Sequence, residues 1–298
     1  MELEKKILKE KLGDMVFYNQ SMKNHSTLKI GGKVFALILP STEKELIYAI
    51  KVVKKYKIPF RVIGAGSNIL FSSNLSNLCI ISTKNIKGSS VDLKNQKLTV
   101  SAGEKLSNCY NLTSKVGLSG FETLFMIPGT VGGAIVSNAG AFGVEIKDIL
   151  ESVKVLTGTG RVKTFKKDDL KLTYRNSIFK HSDDIILSAC FKLKLLAPSV
   201  ISHMAREFLN QRRESQPAGL SAGSVFKKYN NESAGKFIEK CGLKGYTIGD
   251  CKVSDIHANF IINLGNAKTT DFKRLVTYIK KTVKKKFKID LEREVEYI

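Results

Sequence analysis

Apolar and polar positions along the chain alternate in a way that predicts short strands interleaved with a few amphipathic helices. Leu3, Ile7, Leu8 and Leu12 recur at helical spacing, so the N-terminus should form a short helix with these four side chains facing inward. VFALILP, residues 34–40, reads as a strand. Thr42 and Glu45 make a capping box ahead of a helix whose Leu46, Ile50 and Val53 face the core. Strands are expected at Phe60–Ile63 and near 78–82 and 98–101, and a helix over 104–115. Residues 153–156 and 162–165 flank Gly158-Thr159-Gly160 and predict a hairpin, with a further strand over 185–196. Beyond Pro198, Ile201, Met204, Ala205, Phe208 and Leu209 mark a helix over 200–213. A helix over 234–241, a strand in HANFIINLG (257–265) and a lysine-rich helix complete the pattern. That last helix sets Phe272, Leu275, Val276, Ile279, Val283 and Phe287 on one face, opposite the lysines of 280–288. Strands alternating with only two helices in the first part argue for an α+β fold, not a parallel sheet.

Two glycine-rich stretches break this pattern. IPGTVGGAIVSNAGAFG, residues 127–143, holds Gly129, Gly132, Gly133, Gly140 and Gly143. Glycine costs about 1 kcal/mol against alanine inside a helix, so the stretch reads as a loop. Such backbone can approach a ligand closely and wrap a phosphate with its own N–H groups. Pro128 presets φ, Thr130 offers a hydroxyl, and Asn138 can bond to backbone or ligand. FRVIGAGSNIL, residues 60–70, runs from a strand into Gly64-Ala65-Gly66-Ser67-Asn68. This segment lacks the third glycine and following helix of the dinucleotide fingerprint, so a Rossmann fold is not supported although a phosphate loop is. Any one of these glycines alone would be read as a tight turn; together they point to a phosphate-bearing cofactor.

Composition narrows the class. A chain of 298 residues suggests two domains, and 43% hydrophobic residues suffice for a core in each. No run reaches the roughly 18 apolar residues of a membrane helix, and MELEKKILKEKL is not a signal peptide, so a cytoplasmic protein is expected. Cys79, Cys109, Cys190, Cys241 and Cys251 have no C-x-x-C spacing and read as reduced, mostly buried thiols. The four histidines add no metal-ligand spacing, so no metal site is expected. The net charge of +22 raises nucleic acid as a partner. Yet the lysines are spread along the chain, and no aromatic residues interleave with them to stack bases. Benefit to an anionic substrate is the plainer reading.

GAGSNIL followed by IPGTVGGAIVSNAGAFG resembles the flavin domain of the UDP-N-acetylenolpyruvoylglucosamine reductase family. YRNSIFK (174–180), SAGSVFK (221–227), HANFIIN (257–263) and LEREV (291–295) continue the resemblance in the family's order over nearly the whole chain. The resemblance implies a PCMH-type, vanillyl-alcohol-oxidase-like FAD-binding domain over 1–196, with its core from about residue 27. A smaller α+β substrate-binding domain would follow over 197–298. It implies noncovalent FAD, NADPH as hydride donor, and UDP-N-acetylglucosamine enolpyruvate as substrate. The product would be UDP-N-acetylmuramate, made for the bacterial wall by a monomer that does not bind nucleic acid. The short connection before SAGSVFK resembles the subclass without a substrate-capping insertion.

Site residues follow from the same motifs. The cofactor would be held by Gly64, Ala65, Gly66, Ser67 and Asn68, and by Pro128, Gly129, Thr130, Gly132, Gly133, Asn138, Gly140 and Ala141. Arg175 matches the family's catalytic arginine, whose fork suits a carboxylate and stays charged; a surface ion pair with Asp183 or Asp184 is its ordinary alternative. Ser224 matches the proton donor, and its ordinary alternative is a loop hydrogen bond. Spacing alone cannot choose among Glu292, Glu294 and Glu296, which share one face if 291–297 is a strand; the glutamate preceding the family's valine is Glu294. Tyr174 and Lys227 join Arg175 as substrate contacts. Lys228 stands where the family commonly has a substrate-binding asparagine, Leu220 where proline is common, and Leu28 where an aromatic is frequent. The rivals are another oxidoreductase on the same flavin fold, such as an alcohol or lactone oxidase, and a basic nucleic-acid binder. Many such oxidases attach flavin to histidine, and neither glycine stretch contains one.

Overall fold

The computed structural model describes residues 2–298. The chain divides into two compact units that interleave in sequence: 1–18, 35–65 and 77–210 in the first, and 19–34, 66–76 and 211–298 in the second.

The first unit has two cores. One lies under a four-stranded sheet in the order Val16–Tyr18, Lys33–Ile38, Asn74–Ser82, Phe60–Ile63. The Phe60–Ile63 strand runs parallel to its neighbour, pairing Phe60 with Cys79 and Ile63 with Ser82. The Glu43–Lys55 helix buries Leu46, Ile50 and Val53 as expected, and its capping box forms in full. The Glu2–Leu12 helix buries Leu8 and Leu12, but Leu3 is 69% exposed. Only the later turns of that helix reach the apolar cluster, so the first-turn leucine has nothing to pack on.

The other core lies under a five-stranded antiparallel sheet in the order 162–166, 150–156, 185–192, 97–101, 89–92. The expected hairpin forms, with Val153 opposite Phe165 and Leu156 opposite Val162. The last strand is broken at Leu193: Ile185–Lys192 stays in the sheet and Lys194–Leu195 leaves to pair with Leu118–Ser119. The Leu106–Lys115 helix begins two residues later than the sequence suggests, with Lys105 at the cap. Glu104 stays outside it, and its carboxylate accepts from Lys105 N at 3.2 Å and Asn108 Nδ2 at 2.7 Å.

Within the long glycine stretch the structure departs from a loop: Val131–Val136 is a six-residue helix. Packing overrides propensity here. Val131, Ala134 and Ile135 are buried in the core, and a Cβ on Gly132 would stand 3.0 Å from Ala102 Cβ, so the glycine lets this turn approach its neighbour.

The second unit surrounds one core. The Thr269–Phe287 helix buries Phe272, Leu275, Val276, Ile279 and Val283, each such side chain worth roughly 1.5–3 kcal/mol on burial. It covers a sheet ordered Thr247–Ile248, Cys251–Val253, Ile261–Asn263. HANFIINLG is thus a strand over only three residues. The reason lies upstream: Phe260 N closes a turn on His257 O at 3.0 Å, and Asn259 turns its side chain onto Phe226 N and O at 3.0 and 2.8 Å. The C-terminal segment is regular strand only at Glu296–Tyr297, parallel to Ile69–Leu70. Residues 291–295 are irregular, with an isolated bridge from Arg293 to Phe226 and a bend at Val295; Leu291 and Val295 are buried, whereas Arg293 is exposed and lies over the Tyr297 ring at 3.7 Å. The five cysteines are free thiols, and burial pushes Cys79, Cys109 and Cys251 up to about 12. Among the described residues no helix is long and apolar enough to cross a membrane, and no cluster of His, Cys, Asp and Glu could hold a metal.

Candidate active site

In the first unit, the Phe60–Ile63 strand delivers Gly64 to the long glycine stretch. The Ser82 hydroxyl donates to Gly64 O at 3.1 Å and the Thr83 hydroxyl to Ile63 O at 3.3 Å, fixing where the strand ends. A Cβ on Gly64 would meet Thr130 Oγ1 at 2.2 Å, far inside contact distance. Thr130 is 2% exposed, and its hydroxyl is buried without a hydrogen-bond partner. So are Thr123 Oγ1 and Glu122 Oε1 on the same connection, residues 120–130. A buried polar group without a partner costs about 1–3 kcal/mol. The Thr130 hydroxyl, beside glycine at a point where no side chain fits, suits a bound polar cofactor. These residues therefore fit the phosphate and polyol parts of FAD.

The sequence expects backbone N–H groups of 127–143 to do the wrapping, and several are engaged elsewhere. Gly129 N donates to Ile127 O at 2.7 Å, Val131 N to Glu104 O at 2.8 Å and Gly132 N to Ala102 O at 2.8 Å. The contribution of Gly132 is close approach to Ala102, not N–H donation. Pro128 precedes them. Gly133 is less crowded: a Cβ there would meet only the Thr130 hydroxyl, at an ordinary contact distance of 3.6 Å.

Asn138 is fully buried at φ +42°, and its side chain is committed to the protein. Nδ2 donates to Glu145 Oε2 and to Thr173 O, both at 3.0 Å, and Oδ1 accepts from Lys147 N at 3.0 Å. This residue supports the site by holding the chain on either side of it. Gly140-Ala141 pairs with Val144-Glu145, and a Cβ on Gly140 would lie 2.6 Å from Val144 O. Arg175 stands on this support. It takes φ +54°, unusual for a side-chain-bearing residue. Its Nη2 donates to Gly140 O at 3.1 Å, its Nη1 to Asn138 O at 3.5 Å, and Glu145 Oε1 lies 3.8 Å away. Arg175 thus has an acidic neighbour in Glu145. The guanidinium also lies over the Tyr174 ring at 4.9 Å, and that ring is partly exposed.

The second unit brings Ser224, Glu294 and the rest of the first glycine segment together. Gly223 at φ +76° turns the chain into Ser224, whose neighbours Val225 and Phe226 are buried. Glu294 N donates to Val225 O at 2.8 Å, which sets Glu294 beside the residue next to Ser224. Asn68 Nδ2 donates to Glu294 O at 3.0 Å, and Glu296 N donates back to Asn68 O at 3.0 Å. Thr27 Oγ1 reaches Ser221 O at 2.7 Å and Ser67 O at 3.3 Å, tying the Ser67 turn to the Ser224 turn. Gly66, at φ +68°, has room for no Cβ, which would stand 2.2 Å from His25 O. Lys227 pairs with Glu292 at 2.5 Å. Lys228 is exposed at the base of the Tyr229–Glu232 turn. Burial lowers His257 below its ordinary value, which suits a ring whose Nδ1 accepts from Asn259 N at 3.2 Å. The sequence reading missed Thr27, Glu145 and Asn259; each is a lone polar residue whose partners are brought by the fold.

An α+β chain whose Gly64 meets Thr130 where a buried hydroxyl has no protein partner fits a flavin, and has the make-up of a flavin-dependent oxidoreductase. Residues 35–166 match the FAD binding domain profile, and residues 215–298 match that of the UDP-N-acetylenolpyruvoylglucosamine reductase C-terminal domain. The enzyme of that name from Caldanaerobacter subterraneus subsp. tengcongensis is 39% identical over 295 residues, 99% of this chain and 96% of the relative. That from Caldicellulosiruptor bescii is 41% identical over 280 residues, 93% and 88% of the two chains. The crystal structure of the reductase from Thermus caldophilus superposes with TM-score 0.78 at 32% identity, covering 95% of this chain and 97% of that one. An alkyldihydroxyacetonephosphate synthase, 17% identical with TM-score 0.51 over 65% of this chain, shares the fold alone. This chain belongs to the UDP-N-acetylenolpyruvoylglucosamine reductase family, and it is an FAD-binding oxidoreductase of that family. The oxidase and nucleic-acid-binding alternatives are not favoured.

Proposed function

We propose that the chain reduces UDP-N-acetylglucosamine enolpyruvate to UDP-N-acetylmuramate at the expense of NADPH. When bound, FAD supplies hydride transfer between NADPH and the enolpyruvyl ether. The protein's part is to hold the substrate, stabilise the negative charge that develops on it, and deliver a proton. Arg175 pairs with the substrate carboxylate and stays charged while the enolate forms. Ser224 donates the proton that completes the reduction, and Glu294 orients or stabilises the enol form. Tyr174 and Lys227 contact substrate. The observation that carries this reading is the 2.8 Å bond from Glu294 N to Val225 O, which supports a shared role for Ser224 and Glu294 in one polar site.

Residues 64–68 and the 128–141 stretch hold FAD without a covalent bond, since neither contains a histidine to carry one. Residues 1–196 serve as the FAD-binding domain and 197–298 as the substrate-binding domain. The enzyme acts as a cytoplasmic monomer in peptidoglycan precursor synthesis, and through it in cell wall biogenesis, cell shape and division. The test is NADPH oxidation by the purified protein. It should be yellow, release its flavin into an acid supernatant, and consume NADPH only when the enolpyruvyl nucleotide is added. A colourless protein, or NADPH consumption indifferent to that nucleotide, would overturn the proposal.

A further inference from the structure

We infer that Glu145 is the positioning residue for Arg175, an inference that rests on the reading of Arg175 as the carboxylate-binding group. The carboxylate of Glu145 is held by groups other than the arginine. Its Oε2 accepts from Asn138 Nδ2 at 3.0 Å and lies 2.7 Å from Lys147 Nζ. Glu145 N donates to Asp148 Oδ2 at 2.8 Å, which fixes the start of the Ile146–Ile149 turn. Its backbone is held by the pairing with Gly140, and a Cβ on Gly140 would come within 2.8 Å of Glu145 Cγ. An anionic group anchored on this many sides is a fixed reference, and Arg175 settles against it.

The geometry suits steering. Nη1 of Arg175 lies 3.8 Å from Glu145 Oε1, too long for a hydrogen bond, so the attraction is Coulombic and not a two-pronged fork. Both side chains are only 17% exposed, so the attraction is screened less than in a surface pair. A forked partner would compete with a substrate carboxylate for the guanidinium. Glu145 instead holds the cation beside Gly140 O and Asn138 O by charge alone. It also helps keep Arg175 at its left-handed φ of +54°, a conformation that the surrounding structure must impose.

The test compares Glu145→Gln, Arg175→Lys and the double variant in the flavin-loaded enzyme. Gln keeps the shape and the acceptor for Asn138 but removes the charge. In the single Gln variant, flavin content, thermal midpoint and bleaching by NADPH should match the parent. Equilibrium binding of the enolpyruvyl nucleotide should weaken, and flavin recovery on adding it should slow about 10- to 100-fold, as misplacement of a reacting-site group does. Adding Gln to the Arg175→Lys variant should produce little further loss, because Glu145 acts through the arginine. Parent-like recovery in Glu145→Gln beside a slow Arg175→Lys would overturn the Glu145 inference alone. So would losses that multiply in the double variant. Parent-like recovery in Arg175→Lys would overturn the reading of Arg175, and this inference with it. Should Glu145→Gln lose flavin, Glu145→Asp, which keeps the charge, must recover both flavin and the half-reaction more fully than Gln, or the role is merely structural.

Discussion

Replacing Asn138 with alanine should destabilise the first unit and disable Arg175 together. The side chain is fully buried and makes three hydrogen bonds near 3.0 Å, two donated and one accepted. Alanine would leave Thr173 O and Lys147 N without these partners and strip one donor from the Glu145 carboxylate. Each lost bond is worth about 1 kcal/mol where water can enter, and up to about 3 kcal/mol for a group left buried or charged. Asn138 also sits at φ +42°, where asparagine is tolerated and alanine pays roughly 1 kcal/mol more. The expected loss is therefore about 4 kcal/mol, a large fraction of the 5–15 kcal/mol that is typical of a domain. Urea unfolding followed by circular dichroism measures it. Alanine keeps the residue 138 carbonyl that accepts from Arg175 Nη1 but loses the side-chain bonds that place it and Glu145, so the surviving folded enzyme should bind the enolpyruvyl nucleotide weakly. A loss below about 1 kcal/mol, within the range of an ordinary surface change, would refute the reasoning.

Gly64→Ala places a methyl 2.2 Å from Thr130 Oγ1, which should cost about 1–3 kcal/mol and lower flavin retention; adding Thr130→Ala should recover most of the stability but not the flavin, and an unaltered urea midpoint in the single variant would count against the close approach. His257 is held below its ordinary 6.5 by burial, so the unfolded chain takes up the proton first as pH falls. Its contribution to stability is therefore present above about 6.5 and declines as pH drops from there through the folded value. His257→Gln should flatten the stability profile below about pH 6.5, and an equally steep profile in the variant would remove His257 as the cause.

Much of the fold was legible because the signals are local. The capping box at Thr42 and Glu45 and the hairpin around residues 158–160 need only neighbours in sequence. The short helix at Val131–Val136 was hidden, because glycines chosen for close packing look like glycines chosen for a loop. Glu145 carries no spacing signal; it matters because Asn138 and Arg175 are folded onto it. Thr27 binds a carbonyl 194 residues away and Asn259 one 33 residues away, distances no periodicity can show. The placing of 19–34 and 66–76 in the second unit is likewise fixed by long-range pairing, such as Ile69 with Glu296. The identities of Arg175, Ser224 and Glu294 came from motif resemblance, since residue spacing could not choose Glu294 over Glu292 or Glu296.

Ser224→Ala, followed through the two half-reactions by stopped flow, tests the assignment of the chemistry most directly. The serine sits after the Gly223 turn, beside the Val225 carbonyl that anchors Glu294. The variant should keep its flavin and be bleached by NADPH at nearly the parent rate. Recovery of the flavin colour on adding the enolpyruvyl nucleotide should slow by about 10²–10⁴-fold, the usual effect of losing a general acid. Equal slowing of both halves, or of neither, would contradict the account and leave Ser224 a structural residue of the turn.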